Sequence, residues 1–193
     1  MASSKYYTDE AGRRRWWKEV MIKGRNVTLK SIEKSDLDDI FRIIMMNNVG
    51  STFTTTYKEI NSDGLINFLY MTEPKTMAKV FTILLDDKVI GVVTLNNIHP
   101  IRQNAYIGIV GVDPENQNGL HGLDALRTLI DYGFNTLNLH RIYGHTYSDN
   151  PRMTAIYNRG GWVHEGTERE YAFKDGRWIN RETWGILRSD EEN

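Results

Sequence analysis

Between residues 104 and 137 the chain reads as a strand, a polar glycine-containing loop and a long helix. No other feature constrains its fold as much. Asn104 to Val112 (NAYIGIVGV) is a strand with Gly108 and Gly111 inside it. Glycine within a strand marks a bulge, or a close approach by another backbone or a ligand. Asp113 to Gly119 is the loop, and from Leu120 to Leu137 an apolar stripe of Leu123, Leu126, Ile130, Phe134 and Leu137 recurs at helical spacing. A polar turn at a helix N-terminus offers unpaired backbone N–H groups and the positive end of the helix dipole to an anion. Glycine also simply ends strands, so the loop alone leaves both readings open.

The rest of the chain organises around this unit. Asn26 to Ile32 alternates like a strand, and Ser35 or Asp36 can cap a helix that carries Leu37, Ile40, Phe41, Ile44 and Met45. A second helix is expected around Ser62 to Met71. Strands over Lys79 to Leu85 and Val89 to Asn96 flank Asp86-Asp87-Lys88, a hairpin signal. Arg141 to Tyr147 reads as a strand, and Pro151 to Asn158 as a short helix with proline in its first turn. Two last strands, Trp162 to Phe173 and Trp178 to Leu187, pair across Asp175-Gly176. The order β-α-α-β-β-β-α-β-α-β-β predicts an α/β fold on a mixed sheet.

With 193 residues, 40% hydrophobic and 25% charged, the chain suits one globular domain. It has no cysteine, which excludes disulfides, thiolate metal sites and cysteine nucleophiles. The five histidines show neither HExxH nor close-pair spacing, so no metal site is expected, and no GxSxG element supports a serine nucleophile. No apolar run is long enough for a signal peptide or a membrane span, so a cytoplasmic protein is expected. The net charge of −1 conceals an asymmetry: residues 1–26 hold seven basic and three acidic side chains, leaving the remainder at −5. RRRWWK (Arg13 to Lys18) reads either as a contact for nucleic acid or an acidic partner, or as an arm packing its tryptophans on the domain. The domain division is a basic aromatic extension (1–25), a main domain (26–188) and an acidic tail (189–193).

From Gln117 onward a family resemblance appears. It is carried by DYGFNTLNLHRIY (Asp131 to Tyr143), Asn150, AIYNRGGW (Ala155 to Trp162), the HEG of His164 to Gly166, and DGRW (Asp175 to Trp178). These resemble the GNAT acetyltransferase superfamily, in particular its branch of spermidine, ribosomal-protein and amino-sugar N-acetyltransferases. The resemblance spans Asn26 to Leu187 and is looser before Asn104. It implies a mixed, mostly antiparallel sheet of about seven strands with about four helices, splayed between the fourth strand (Asn104 to Val112) and the fifth (Arg141 to Tyr147). It implies acetyl-CoA as cofactor and a primary amine as acceptor, a small molecule before a protein. Relatives often form homodimers.

The resemblance also suggests roles. The pantetheine would pair with the strand edge at Ile109, Val110 and Val112. The pyrophosphate would sit on Gln117, Asn118, Gly119, Leu120, His121, Gly122 and Leu123. Asn150 would bond the pantetheine, although it also reads as the N-cap before Pro151. Tyr157 would protonate the departing thiolate, although alone it reads as a core aromatic. Glu33 would receive the amine proton, although it also reads as a surface glutamate near a helix start. Glu59 is a weaker acceptor-site candidate, as is Tyr106, which stands where polyamine-acetylating relatives often carry an acid. His145, mid-strand beside the splay, reads as a base or as a buried, hydrogen-bonded strand histidine. One departure matters: Leu120 occupies a loop position where the family has glycine, and its Cβ is expected to obstruct the pyrophosphate or shift the loop. That keeps open a GNAT-fold module with altered or lost CoA use, and the basic arm keeps open a macromolecular acceptor.

Overall fold

The computed structural model describes residues 5–8, 14–17, 20–46, 78–117 and 119–191. The second expected helix, Glu59 and Asn118 lie outside them. Strands β1 (Lys5–Thr8) and β2 (Arg14–Trp17) form a separate antiparallel pair. The main sheet holds β3 (Met21–Lys23), β4 (Thr28–Ser31), β5 (Lys79–Leu85), β6 (Lys88–His99), β7 (Asn104–Val112), β8 (Arg141–Tyr147), β9 (Val163–Lys174) and β10 (Arg177–Leu187). Its spatial order is β3-β4-β5-β6-β7-β8-β10-β9. The helices are α1 (Leu37–Met46), α2 (Leu120–Asp131), α3 (Pro151–Arg159) and the short α4 (Arg188–Glu191).

The sheet therefore has eight strands rather than about seven. The additional one is β3, which pairs with β4 although it falls within the expected extension. A three-residue strand is too short to show a period, and only its backbone pairing reveals it. The expected tail likewise begins inside α4, where the Asp190 carboxylate accepts from the Leu187 N–H at 2.8 Å.

Both expected hairpins form with two-residue turns. Asp86 and Asp87 have φ of 48° and 62°, and Asp175 and Gly176 have 50° and 80°. Two successive positive φ values give a turn whose twist matches the flanking strands. The long helix departs from expectation at its end. It is α-helical to Asp131, and Tyr132–Thr136 then form a π-helical turn, in which Leu137 N–H donates to the Tyr132 carbonyl at 3.1 Å.

Both sheet faces are covered, so β5 and β6 are apolar on both sides. On one face α1 packs Leu37, Ile40 and Ile44 over Val80, Leu84 and Val92. On the other, α2 and α3 pack Leu126, Leu129, Tyr157 and their neighbours over Leu29, Phe81, Val93, Ile107 and Ile142.

Every pairing in the main sheet is antiparallel except β7 with β8. Those two run parallel for only three residue pairs, ending at Tyr106↔Tyr143, and then part. A bulge in β7 accompanies the parting: Ile109 faces Val93 and Gly111 faces Val92, leaving Val110 as the extra residue. A bulge bends its strand and raises the local twist.

Candidate active site

A cleft of about 620 Å³ opens where β7 and β8 separate. Tyr106 to Gly108, Gly111 and Val112 form one wall, and His145 to Tyr147 the other. Met153, Ile156 and Tyr157 of α3 reach it, as does the turn before α2.

That turn is built stepwise. The Asp113 carboxylate caps a 3-10 turn by accepting from Glu115 N–H at 3.2 Å. Gln117 then donates from Nε2 to the Val112 carbonyl at 2.7 Å and accepts from the Arg152 guanidinium. Gly119 is the N-cap of α2 with φ of +80°, a left-handed conformation that glycine adopts without strain. The first-turn N–H groups of a helix have no intrahelical partner. Here they follow Gly119 at the cleft, and Arg152 lines the same end. Gly119 and Gly122 belong to the lining, whereas Leu120, His121 and Leu123 do not. The Leu120 side chain is 63% exposed and points away from the cleft lining, where an obstruction was expected from it. Because Gly119 takes the left-handed position, Leu120 turns outward as the first residue of the helix.

Tyr157 rises from α3 on the far face of the sheet. Its ring is buried against Trp162 and Trp184, with centroids 4.7 and 5.5 Å away. Its hydroxyl ends at β8, donating to the His145 carbonyl at 3.5 Å, and a Cβ on Gly144 would overlap it. Gly144 is thus the opening that lets a phenol from one face reach the splay. Burial, with a smaller contribution from Tyr106, pushes the Tyr157 phenol above its ordinary value of 10. It is therefore a neutral O–H donor throughout the physiological range. Asn150 lines the cleft and caps α3, its side-chain oxygen accepting from Met153 N–H at 3.1 Å. Both readings of that residue thus meet in one place.

The opposite face of the splay carries a polar aromatic cluster. The β8 residues alternate, so Ile142, Gly144 and Thr146 face α2 and α3, while Tyr143, His145 and Tyr147 face the other way. The Tyr106 ring sits 5.4 Å from His145 and 5.7 Å from Tyr143. The neighbouring strand β10 adds Thr183, whose Oγ1 is 3.3 Å from His145 Nδ1, and Arg181, which is bound to Glu168 and stacked 3.7 Å from the Tyr171 ring centre. Burial raises the Tyr106 phenol. Burial also lowers His145, and the Arg181 charge adds to the effect. At the rim Lys174 pairs with Asp149 at 2.7 Å.

Glu33 is not brought to this cleft. Its carboxylate lies 3.5 Å from Lys30 Nζ, and its N–H donates to Asp36 at 2.8 Å, which ties it to the start of α1. Ile109 and Val110 lie on β7 at the bulge. Sequence reasoning missed Arg152, Thr183 and Arg181, and left His145 undecided. The first three carry no local signal, because only the β8-β10 pairing and the closeness of α3 to the α2 turn bring them in.

Residues 29–184 match the acetyltransferase (GNAT) domain family. The chain belongs to the GNAT acetyltransferases. It is 30% identical over 166 residues to a spermidine N(1)-acetyltransferase of Vibrio cholerae serotype O1, covering 84% of this chain and 94% of that one. It is 26% identical over 192 residues to the probable N-acetyltransferase YjcK of Bacillus subtilis, covering 89% and 99%. In three dimensions it superposes with a TM-score of 0.78 on the Vibrio cholerae spermidine N-acetyltransferase solved with CoA and spermine, at 28% identity over 87% of this chain and 99% of that one. The ribosomal L7/L12 alpha-N-protein acetyltransferase RimL also superposes with a TM-score of 0.78, covering 87% and 98%. Its 16% identity speaks to the fold alone. This GNAT chain is an acetyltransferase, and the family draws its acetyl group from acetyl-CoA. No helix among the described residues is long and apolar enough to cross a membrane.

Proposed function

We propose that this protein transfers the acetyl group of acetyl-CoA to a primary amine on a small molecule. The observation that carries the reading is the convergence at the β7/β8 splay. There a strand edge, a helix N-terminus and a phenol meet in one cleft.

The donor set suits the cofactor. Among the described residues the β7–β8 pairing ends at Tyr106, so the following stretch of β7 presents a strand edge to the cleft that suits a pantetheine arm. Gly119, Gly122 and the positive N-terminal end of α2 suit a pyrophosphate, and Arg152 adds charge beside them. With the Leu120 side chain outside the cleft lining, that residue gives no support to a module without CoA use. Asn150 would steady the pantetheine from the α3 side.

Acetyl-CoA supplies a thioester, and its acetyl group passes to nitrogen as the C–N bond forms and the C–S bond breaks. The chain's part is to hold the amine against the splay, since orientation supplies much of the acceleration in such a reaction. Tyr157 presents a proton to the sulfur side through the gap at Gly144. Tyr106 and Tyr147 flank the acceptor side. Glu33 has no part in this scheme, since it is tied to Lys30 and Asp36 at the start of α1 and does not line the cleft.

Thiol release from acetyl-CoA with spermidine, glucosamine and a simple alkylamine tests the proposal. At least one of them should raise the rate well above the amine-free level. No amine-dependent release at millimolar concentrations would contradict it.

A further inference from the structure

We propose that His145 is the catalytic base that removes the proton from the incoming ammonium group, with Thr183 as the residue that positions its ring. The inference rests on the transferase reading above.

An amine reaches the enzyme mainly as R–NH₃⁺ and must lose a proton before its lone pair can attack. The base has to stand on the acceptor face, opposite the phenol. Residue parity on β8 supplies this arrangement. Gly144 faces α3 and admits the Tyr157 hydroxyl, and the next residue, His145, faces the acceptor side. The two groups meet at one peptide unit, because the Tyr157 hydroxyl bonds the His145 carbonyl. His145 lines the cleft.

The ring is held on three sides. Tyr106 on β7 stacks at a 34° tilt, and Tyr143 on the same strand meets it edge-on at 6.0 Å. Thr183, its cross-strand partner on β10, takes Nδ1. When Nδ1–H donates to Thr183 Oγ1, the lone pair is on Nε2, which bonds to no group among the described residues. A threonine hydroxyl can donate or accept, so the base role requires Thr183 Oγ1 to act as the acceptor from Nδ1–H.

The surrounding charges agree. Arg181 on β10 faces His145 and Glu168 on β9 opposes it, while the other titratable neighbours are the tyrosines Tyr106, Tyr143 and Tyr147. Burial and Arg181 hold the imidazole below its usual range, so it is unprotonated at neutral pH and free to accept.

The proton balance closes. The ammonium has three protons. One goes to Nε2 and then to solvent. As the C–N bond forms and the C–S bond breaks, a second leaves nitrogen for solvent, the sulfur takes one from Tyr157, and solvent returns one to the phenol, so that one net proton is released. The third remains as the amide N–H.

Nitrogen-15 NMR of the full chain reads the proposal directly. Wild type should show His145 protonated on Nδ1 at pH 7.5 and titrating below 6.5, and Thr183→Val should lose that tautomer preference while Thr183→Ser retains it. With whichever of spermidine, glucosamine and the alkylamine wild type acetylates fastest, at saturating acetyl-CoA, His145→Gln should lower kcat/KM about 10²-fold at pH 7. Its acid limb should move from below 6.5 toward the pKa of the amine itself, and its CoA affinity should stay within about twofold of wild type. A proton on Nε2 at pH 7.5, or a His145→Gln pH profile within about threefold of wild type, would overturn the assignment. Failure of the transferase reading shows separately, as wild type that neither binds acetyl-CoA nor releases thiol.

Discussion

Replacing Tyr157 with phenylalanine should lower kcat by about 10²- to 10³-fold, the range for loss of a positioned proton donor, and leave CoA affinity within about twofold. The substitution keeps the ring, so the contacts with Trp162 and Trp184 remain. The hydroxyl's one hydrogen bond, to the His145 carbonyl, is long at 3.5 Å. Losing it should therefore cost less than about 1 kcal/mol of stability. Activity and stability separate here because the ring braces the core while only the hydroxyl reaches the splay, at the gap left by Gly144. Full proton transfer from a phenol above 10 to a thiolate near 8.5 is uphill by at least about 2 kcal/mol. The donor's benefit thus lies in a hydrogen bond that strengthens as charge builds on sulfur. Steady-state kinetics beside a CoA titration reads this, and a kcat within threefold of wild type would remove Tyr157 from the chemistry.

The second large effect concerns stability. Asp124→Ala should lower stability by about 3 kcal/mol, roughly 1 kcal/mol for each backbone donor it leaves without a partner. From α2, Asp124 accepts the N–H groups of Arg25, Asn26 and Val27 at 3.2, 2.6 and 2.9 Å. These are the residues of the β3-β4 turn. At Gly24 the same turn approaches α2 so closely that a Cβ would meet Thr128. One carboxylate thus pins the edge of the sheet to the helix whose N-terminus opens into the cleft. The loss corresponds to a fall in Tm of about 6–12 °C for a domain of this size, measured by thermal circular dichroism. Asp124→Asn, which keeps one acceptor oxygen, should lie between the two. A shift under about 2 °C for the alanine variant would mean that water replaces the carboxylate at little cost.

Much of this was legible in the chain itself. The main-sheet strands other than β3 announced themselves by alternation or by apolar runs, and Asp86-Asp87 and Asp175-Gly176 marked the hairpins because their positions demand positive φ. The motifs from Asp131 to Trp178 pointed to the family, and with it to the parting of β7 from β8. What escaped was of another kind. Strand β3 is too short to show a period. Whether Leu120 faces the cleft or solvent depends on the rotation of the first helical turn, which the left-handed Gly119 sets and spacing does not show. Glu33 stood in a suggestive place, but Lys30 and Asp36 hold it at the start of α1. Thr183 and Arg181 became neighbours of His145 only because β10 lies between β8 and β9, an order that reverses the last two strands of the chain. Residues that meet through sheet order leave no mark on local sequence.

The central claim is that acetyl-CoA seats where β7 and β8 part, against the N-terminus of α2. Calorimetric titration of acetyl-CoA into the full chain tests it most directly. The expected result is one site per chain with a Kd of about 1–100 μM, within the usual range for an enzyme and its substrate. No binding heat up to millimolar acetyl-CoA would contradict it.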